Sequence, residues 1–168
     1  MTEVKELPWI KTAESYLGLK EAAGSANNPT IISWTKGFAR WIQQFYTKDS
    51  IPWCGLFVGH CFEANDIDPK LKNILSSIEW RGFGVKTDIC YGCVMTFRRS
   101  GGGHVGFYVS EDAYTYHILG GNQSNSVNIT RIAKDRFVTA RWPAGFEHLK
   151  TPGRIVRTFD GKLSTNEA

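Results

Sequence analysis

The hydrophobic period of the chain changes to two at Cys93-Val94-Met95-Thr96-Phe97-Arg98. Gly101-Gly102-Gly103 and Glu111-Asp112-Ala113 supply turn residues after this segment and after the next one. The later segments of the same kind are residues 104–109, 115–119, 127–132 and 137–142. The pattern predicts a meander of short antiparallel strands in the second half of the chain.

Upstream of Cys93, the apolar residues follow helical spacing. They predict helices over residues 7–17 and 29–45, the second opened by the cap and first-turn pair Asn28-Pro29. A third helix is expected from Cys54 to about Asn65. A short fourth helix is expected over residues 69–78, followed by a loop over 80–87. Helices packed on a C-terminal antiparallel sheet give an α+β fold.

The composition is that of one globular domain. The chain has 168 residues, 42% of them hydrophobic and 21% charged. We place the domain at residues 1–145 and expect residues 146–168 to form a polar, loosely attached tail. The net charge of +4 favours anionic partners without selecting one. No stretch concentrates Lys and Arg as a nucleic-acid arm does, so nucleic acid is not expected as a partner.

The start of the chain predicts where the protein is made. Residues 1–6 lack the basic start and apolar run of a secretory signal. No segment approaches the roughly 18 apolar residues that a membrane span needs. We therefore expect synthesis in the cytoplasm and no stable association with a membrane.

The four cysteines are Cys54, Cys61, Cys90 and Cys93. In a cytoplasmic product they argue against a disulfide scaffold and leave buried thiols, a metal site or a catalytic thiol. Cys90-Tyr91-Gly92-Cys93 is a C-x-x-C motif, which His104 or Cys61 could complete as a zinc site. No second C-x-x-C follows, and no thioredoxin-like context surrounds the motif, so we expect no metal or cofactor.

Cys54 is the best candidate for a nucleophile. It lies in the first turn of the third predicted helix, where free amides and the helix dipole favour a thiolate. The same amides could hold an oxyanion. The alternative is that Cys54, like Cys61 two turns later on the same face, is a small buried hydrophobe.

His104 and Asn122 could serve this thiol. His104 begins a strand after three glycines, and Asn122 follows the third strand in Leu119-Gly120-Gly121-Asn122-Gln123. Either residue alone is common in a turn. Together with Cys54 they give a nucleophile, a base and a residue that orients the base, if the sheet packs on the helix.

Three blocks of the sequence resemble the CHAP and NlpC-type cysteine peptidase/amidase superfamily, and are most similar to its small phage members. The blocks are Pro52-Trp53-Cys54-Gly55-Leu56-Phe57-Val58, Gly103-His104-Val105-Gly106-Phe107-Tyr108-Val109 and Leu119-Gly120-Gly121-Asn122-Gln123. The resemblance implies a papain-like fold and hydrolysis of peptidoglycan amide bonds, with Cys54 as nucleophile, His104 as base and Asn122 as the orienting residue. Two positions depart from the family pattern. Cys93 replaces an Asp that often enters the first strand, and Gly120 replaces an acidic residue.

The resemblance implies a monomeric phage lysis enzyme, made in the host cytoplasm and acting on the bacterial cell wall after a holin-like partner releases it. Trp53 and Trp80 are expected to line the substrate groove, unless they belong to the core. The bond cut is the sugar-proximal amide, one within the peptide stem or one in the cross-bridge. The alternatives are an antibacterial amidase effector with the same chemistry, and a non-catalytic wall-binding or zinc-stabilised module.

Overall fold

The structure is a computed structural model that describes residues 3–167. Helices occupy the first part of the chain, as predicted. The α-helices are α1 (Pro8–Ser15), α2 (Pro29–Ser33), α3 (Arg40–Phe45) and α4 (Cys54–Glu63). Short 3-10 helices lie at Trp34–Gly37, Glu79–Gly82, Lys134–Arg136 and Glu147–Leu149. No helix in the described range combines the length and the apolar content needed to cross a bilayer.

The second part of the chain forms one sheet of seven strands. The strands are β1 (Val85–Lys86), β2 (Val94–Arg99), β3 (Gly102–Glu111), β4 (Thr115–Gln123), β5 (Ser126–Ala133), β6 (Phe137–Trp142) and β7 (Leu163–Ser164). Their order is β1-β6-β2-β3-β4-β5-β7, and every pair is antiparallel except β5 with β7. The predicted α+β class is confirmed. The sheet is mixed rather than wholly antiparallel, because the tail adds a parallel edge strand.

Helix α4 is the central helix of the fold. It packs against β3, β4 and α1, and its residues Leu56, Phe57 and Phe62 are fully buried. A Cβ atom on Gly121 of β4 would lie 2.7 Å from the Cβ of Phe57. Glycine at this position therefore lets the helix approach the sheet closely, which places the start of α4 beside β3 and β4.

Two helices predicted from spacing are not formed as expected. The helix expected over residues 29–45 is interrupted after Gly37, where Phe38 is extended with φ −125° and ψ 177°. The helix expected over residues 69–78 is replaced by turns. There the side chains of Asp68 and Asn73 accept backbone N–H groups two residues later, and such local bonds compete with helix formation.

The described part of the tail, residues 146–167, is docked along its length. Glu111 in β3 exchanges backbone hydrogen bonds with Ile155 and Arg157, at 2.8 and 2.9 Å. Glu167 is only 2% exposed and forms an ion pair with Arg136. The expected loose attachment was wrong, because polar composition does not reveal that the edge of β5 is available for pairing.

Candidate active site

Cys54 is the first residue of α4, and the residue is 5% exposed. Burial alone would raise its pKa. The contact with His104, the charge of that imidazole and the backbone N–H groups of Val105 and Gly55 outweigh burial and lower the pKa of Cys54 below its ordinary value. The thiol therefore lies in surroundings that stabilise a thiolate, as a nucleophile requires.

His104 lies on β3 and is 1% exposed. Burial opposes its protonation, yet the contact with Cys54 and the bond to Gln123 help to raise its pKa. Its Nδ1 atom is buried and has no hydrogen-bond partner among the described residues. The interaction with Cys54 therefore stops short of a formed hydrogen bond at this nitrogen. Catalytic pairs often form this bond only when substrate binds.

The other ring nitrogen of His104 is bound by Gln123. Nε2 lies 2.9 Å from Oε1 of Gln123, whose side chain is fully buried. The amide nitrogen of Gln123 donates to the carbonyl oxygens of Ile118 and Asn128, at 3.1 and 2.8 Å. The amide oxygen therefore faces the imidazole, so Nε2 carries the proton and Nδ1 is free to act as the base.

Asn122 does not occupy the position expected for it. The register between β4 and β5 shifts between Gly120 and Gln123, and Asn122 has φ 57°. This irregularity brings the next side chain, Gln123, to His104. A Cβ atom on Gly120 would lie 2.6 Å from Oε1 of Gln123, so the glycine leaves the space that Gln123 fills. The side chain of Gln123 thus gives a steric reason for glycine at position 120.

Trp53 and Trp80 lie in the core, which was the alternative to their lining a substrate groove. Both side chains are fully buried. The indole N–H of Trp53 donates to Glu21 at 2.7 Å, and that of Trp80 to the carbonyl oxygen of Ile74 at 2.9 Å. Trp53 directly precedes α4, and the indole nitrogen of Trp80 lies beside Gly55 in its first turn.

The zinc site considered above is not assembled. Within residues 3–167, no three or more His, Cys, Asp or Glu side chains lie together as metal ligands. Cys61 is fully buried on α4, and burial raises the pKa of its thiol well above the ordinary value. His104 is engaged by Cys54 and Gln123.

The sequence analysis did not identify two residues that interact with His104. The first is Gln123, which is adjacent to the expected Asn122; the register shift in β4 determines that Gln123 and not Asn122 contacts His104. Glu167 lies in the tail and is held by Arg136 and by the hydroxyl of Ser164. Its negative charge contributes to the raised pKa of His104. No local motif marks Glu167, because its position depends on the pairing of β7 with β5.

A cleft of about 320 Å³ adjoins these elements. One side is formed by Glu21, the partner of Trp53, and the other by Ser124 and Asn125, which follow Gln123. A larger cavity of about 550 Å³ is lined by residues such as Phe38 and Leu71 and does not include Cys54 or His104. Neither cavity is lined by Cys54, His104 or Gln123, and the smaller cleft is the one that borders the partner of Trp53 and the residues after Gln123.

The structure thus places a thiol at a helix start, an imidazole and an amide bound to that imidazole in sequence, which is the order of groups that thiol hydrolases use. The chain matches no protein-family model, no curated protein and no solved structure.

Proposed function

We propose that the protein is a papain-like cysteine hydrolase that cleaves amide bonds of bacterial peptidoglycan. The observation that carries the proposal is the contact between Cys54, at the start of a helix, and His104, whose far nitrogen is bound by Gln123. This arrangement activates a thiol for attack on a carbonyl carbon.

The reaction begins when the proton of the Cys54 thiol moves to Nδ1 of His104. The thiolate attacks the carbonyl carbon of the amide, and N–H groups at the start of α4 stabilise the oxyanion. The protonated His104 then gives its proton to the departing amine, which leaves a thioester on Cys54. Throughout these steps, Gln123 keeps the proton on Nε2 and holds the ring in place.

Hydrolysis of the thioester completes the cycle. Nδ1 of His104 takes a proton from water, and the hydroxide formed attacks the thioester carbonyl. The carboxylic acid product departs, and Cys54 recovers its proton from His104. The same nitrogen serves as base, acid and base again, so its tautomer has to be maintained through both halves of the reaction.

Two observations support the cell wall as substrate. The blocks around Cys54, His104 and Gln123 resemble those of wall-degrading cysteine amidases and peptidases. The net charge of +4 favours approach to anionic wall polymers. A role in phage-induced lysis, after release by a holin-like membrane protein, is consistent with both.

The test is to incubate purified peptidoglycan with the wild-type protein and with Cys54→Ala, and to identify released fragments by mass spectrometry. We expect fragments only with the wild type, and their new termini identify the amide that is cut. Cys61→Ala is the matched control, because it removes a buried thiol on the same helix. Equal release by Cys54→Ala and wild type would refute the thiol mechanism. No release from the walls of several bacteria would refute peptidoglycan as the substrate.

A further inference from the structure

The C-x-x-C motif forms a tight turn at the entrance to β2. The N–H of Cys93 donates to the carbonyl oxygen of Cys90 at 3.1 Å, and Gly92 has φ 79°. A four-residue turn closed in this way brings its end Cα atoms within about 7 Å. Disulfides span about 4.4–6.8 Å between Cα atoms, so this backbone suits a disulfide.

The turn is fixed by its neighbours. The N–H of Gly92 donates to the carbonyl oxygen of Tyr108 at 2.8 Å, and the N–H of Tyr108 donates back to Cys93 at 3.0 Å. The indole N–H of Trp9 donates to the carbonyl oxygen of Gly92 at 3.0 Å. These bonds hold the two ends of the turn, and with them Cys90 and Cys93, close together.

The two thiols differ in their surroundings. The contact with Cys93, a second contact with the Thr87 hydroxyl at 3.9 Å and the charge of Lys150 lower the pKa of Cys90, although burial opposes this. Burial is the main cause that raises the pKa of Cys93 well above its ordinary value. Cys90 is therefore the better nucleophile, and Cys93 the thiol that reacts second.

Cys90 is also the thiol nearer to solvent-filled space. Thr87, its contact, lines a cleft of about 450 Å³ together with Asp88 and Ile89. Both thiols are buried, Cys90 at 1% and Cys93 at 0% exposed. Thr87 separates Cys90 from the cleft, so an oxidant in the cleft reaches Cys90 when the Thr87 side chain moves.

We propose that Cys90 and Cys93 form a redox-active dithiol that closes to an intramolecular disulfide, with low-molecular-weight disulfides such as oxidised glutathione as its oxidants. The proposal is independent of the activity assigned to Cys54. The thioredoxin-like context that many C-x-x-C motifs have is absent from the sequence, but the turn and its three anchoring hydrogen bonds provide the proximity instead.

The exchange takes place in two steps. The Cys90 thiolate attacks one sulfur of the small disulfide, forms a mixed disulfide and releases one thiolate. Cys93 then gives its proton to the thiolate released in the first step, directly or through water, and attacks the sulfur of Cys90, which releases the second thiolate. The two protein thiols are oxidised by two electrons in total, and the small disulfide is reduced to two thiols.

The test uses the folded Cys54→Ala protein, which lacks the other reactive thiol. The protein is equilibrated in buffers with rising ratios of oxidised to reduced glutathione, quenched in acid, denatured and alkylated, and its peptides are identified by mass spectrometry. We expect alkylation of Cys90 and Cys93 to be lost together as a disulfide joins them, while Cys61 stays fully alkylated. Full alkylation of Cys90 and Cys93 in excess oxidised glutathione would overturn the proposal.

The order of attack is tested with two serine variants. In Cys93→Ser we expect a stable glutathione adduct on Cys90, and in Cys90→Ser we expect no adduct on Cys93 under the same conditions. The reverse pattern would overturn the assigned order. Thermal unfolding shows whether each serine variant is folded. The existence of the disulfide is decided by the experiment on the Cys54→Ala protein, which does not depend on the serine variants.

Discussion

Nε2 of His104 lies 2.9 Å from Oε1 of Gln123, and the nitrogen of the same amide faces the carbonyl oxygens of Ile118 and Asn128. Because a carbonyl oxygen only accepts hydrogen bonds, the amide cannot reverse without placing its oxygen against two other acceptors. The orientation of Gln123, and with it the tautomer of the imidazole, is thus set by backbone atoms of β4 and β5.

Replacement of Gln123 by Ala should reduce kcat by about 10²-fold, because the imidazole loses the partner that orients it. Asn122→Gly is the matched control: it removes the neighbouring side chain and suits the positive φ at that position. We expect this control to retain most of the wild-type rate of peptidoglycan hydrolysis. If Asn122→Gly lowered kcat more than Gln123→Ala did, Asn122 and not Gln123 would be the residue that orients the imidazole.

Glu167 should influence the pH dependence of the reaction. In the proposed mechanism the reactive pair of Cys54 and His104 holds one proton, so we expect activity to be lost in acid when a second proton binds and in alkali when the first one leaves. The charge of Glu167 contributes to the raised pKa of His104. In Glu167→Gln this contribution disappears, so the limb of the kcat/KM profile that reports His104 should move to lower pH.

Glu6→Gln is the control for this shift. Glu6 forms an exposed ion pair with Lys11 at the opposite end of the chain, so its removal changes the net charge equally. Its pH profile should coincide with that of the wild type. Identical profiles for Glu167→Gln and Glu6→Gln would show that Glu167 does not act on His104. Thermal unfolding checks that the tail remains docked.

Gly55 is expected to be intolerant of any side chain. A Cβ atom there would lie 2.1 Å from the carbonyl oxygen of Ile74, which is fixed by the indole of Trp80. Overpacking of this kind costs about 1–3 kcal/mol. Gly55→Ala should therefore lower the free energy of unfolding, measured by denaturant titration, by about 1–3 kcal/mol or more.

The control for Gly55→Ala is Gly82→Ala, where a Cβ atom would meet no other atom within 4 Å. Its free energy of unfolding should stay unchanged or rise by about 0.4–1 kcal/mol, because alanine restricts the unfolded chain more than glycine does. Equal destabilisation of the two variants would contradict the close contact at Gly55.

The sequence predicted those features that depend on local patterns. The period of two located β2 to β6, and the apolar run after Cys54 located α4, because both elements bury their apolar residues in one core. Helix prediction failed where a local competitor was present. The side chains of Asp68 and Asn73 bond to nearby N–H groups and replace the fourth helix with turns.

Features that depend on long-range pairing were not predictable. The register shift in β4 places Gln123, rather than Asn122, beside the imidazole of His104. No residue pattern within one strand predicts such a shift. The position of Glu167 follows from the parallel pairing of β7 with β5, whose residues are about 30 positions apart. The placement of Cys54 at the start of a helix and of His104 near the start of a strand could be predicted, because both are local features.

The fixed amide of Gln123 also bears on how this site can evolve. A single nucleotide change converts a glutamine codon to a glutamate codon, and a carboxylate would give the imidazole a charged partner. In this protein that change would place a carboxylate oxygen against the carbonyl oxygens of Ile118 and Asn128, where Gln123 now donates hydrogen bonds. A lineage could therefore acquire a charged orienting residue only if the surrounding backbone of β4 and β5 changed as well.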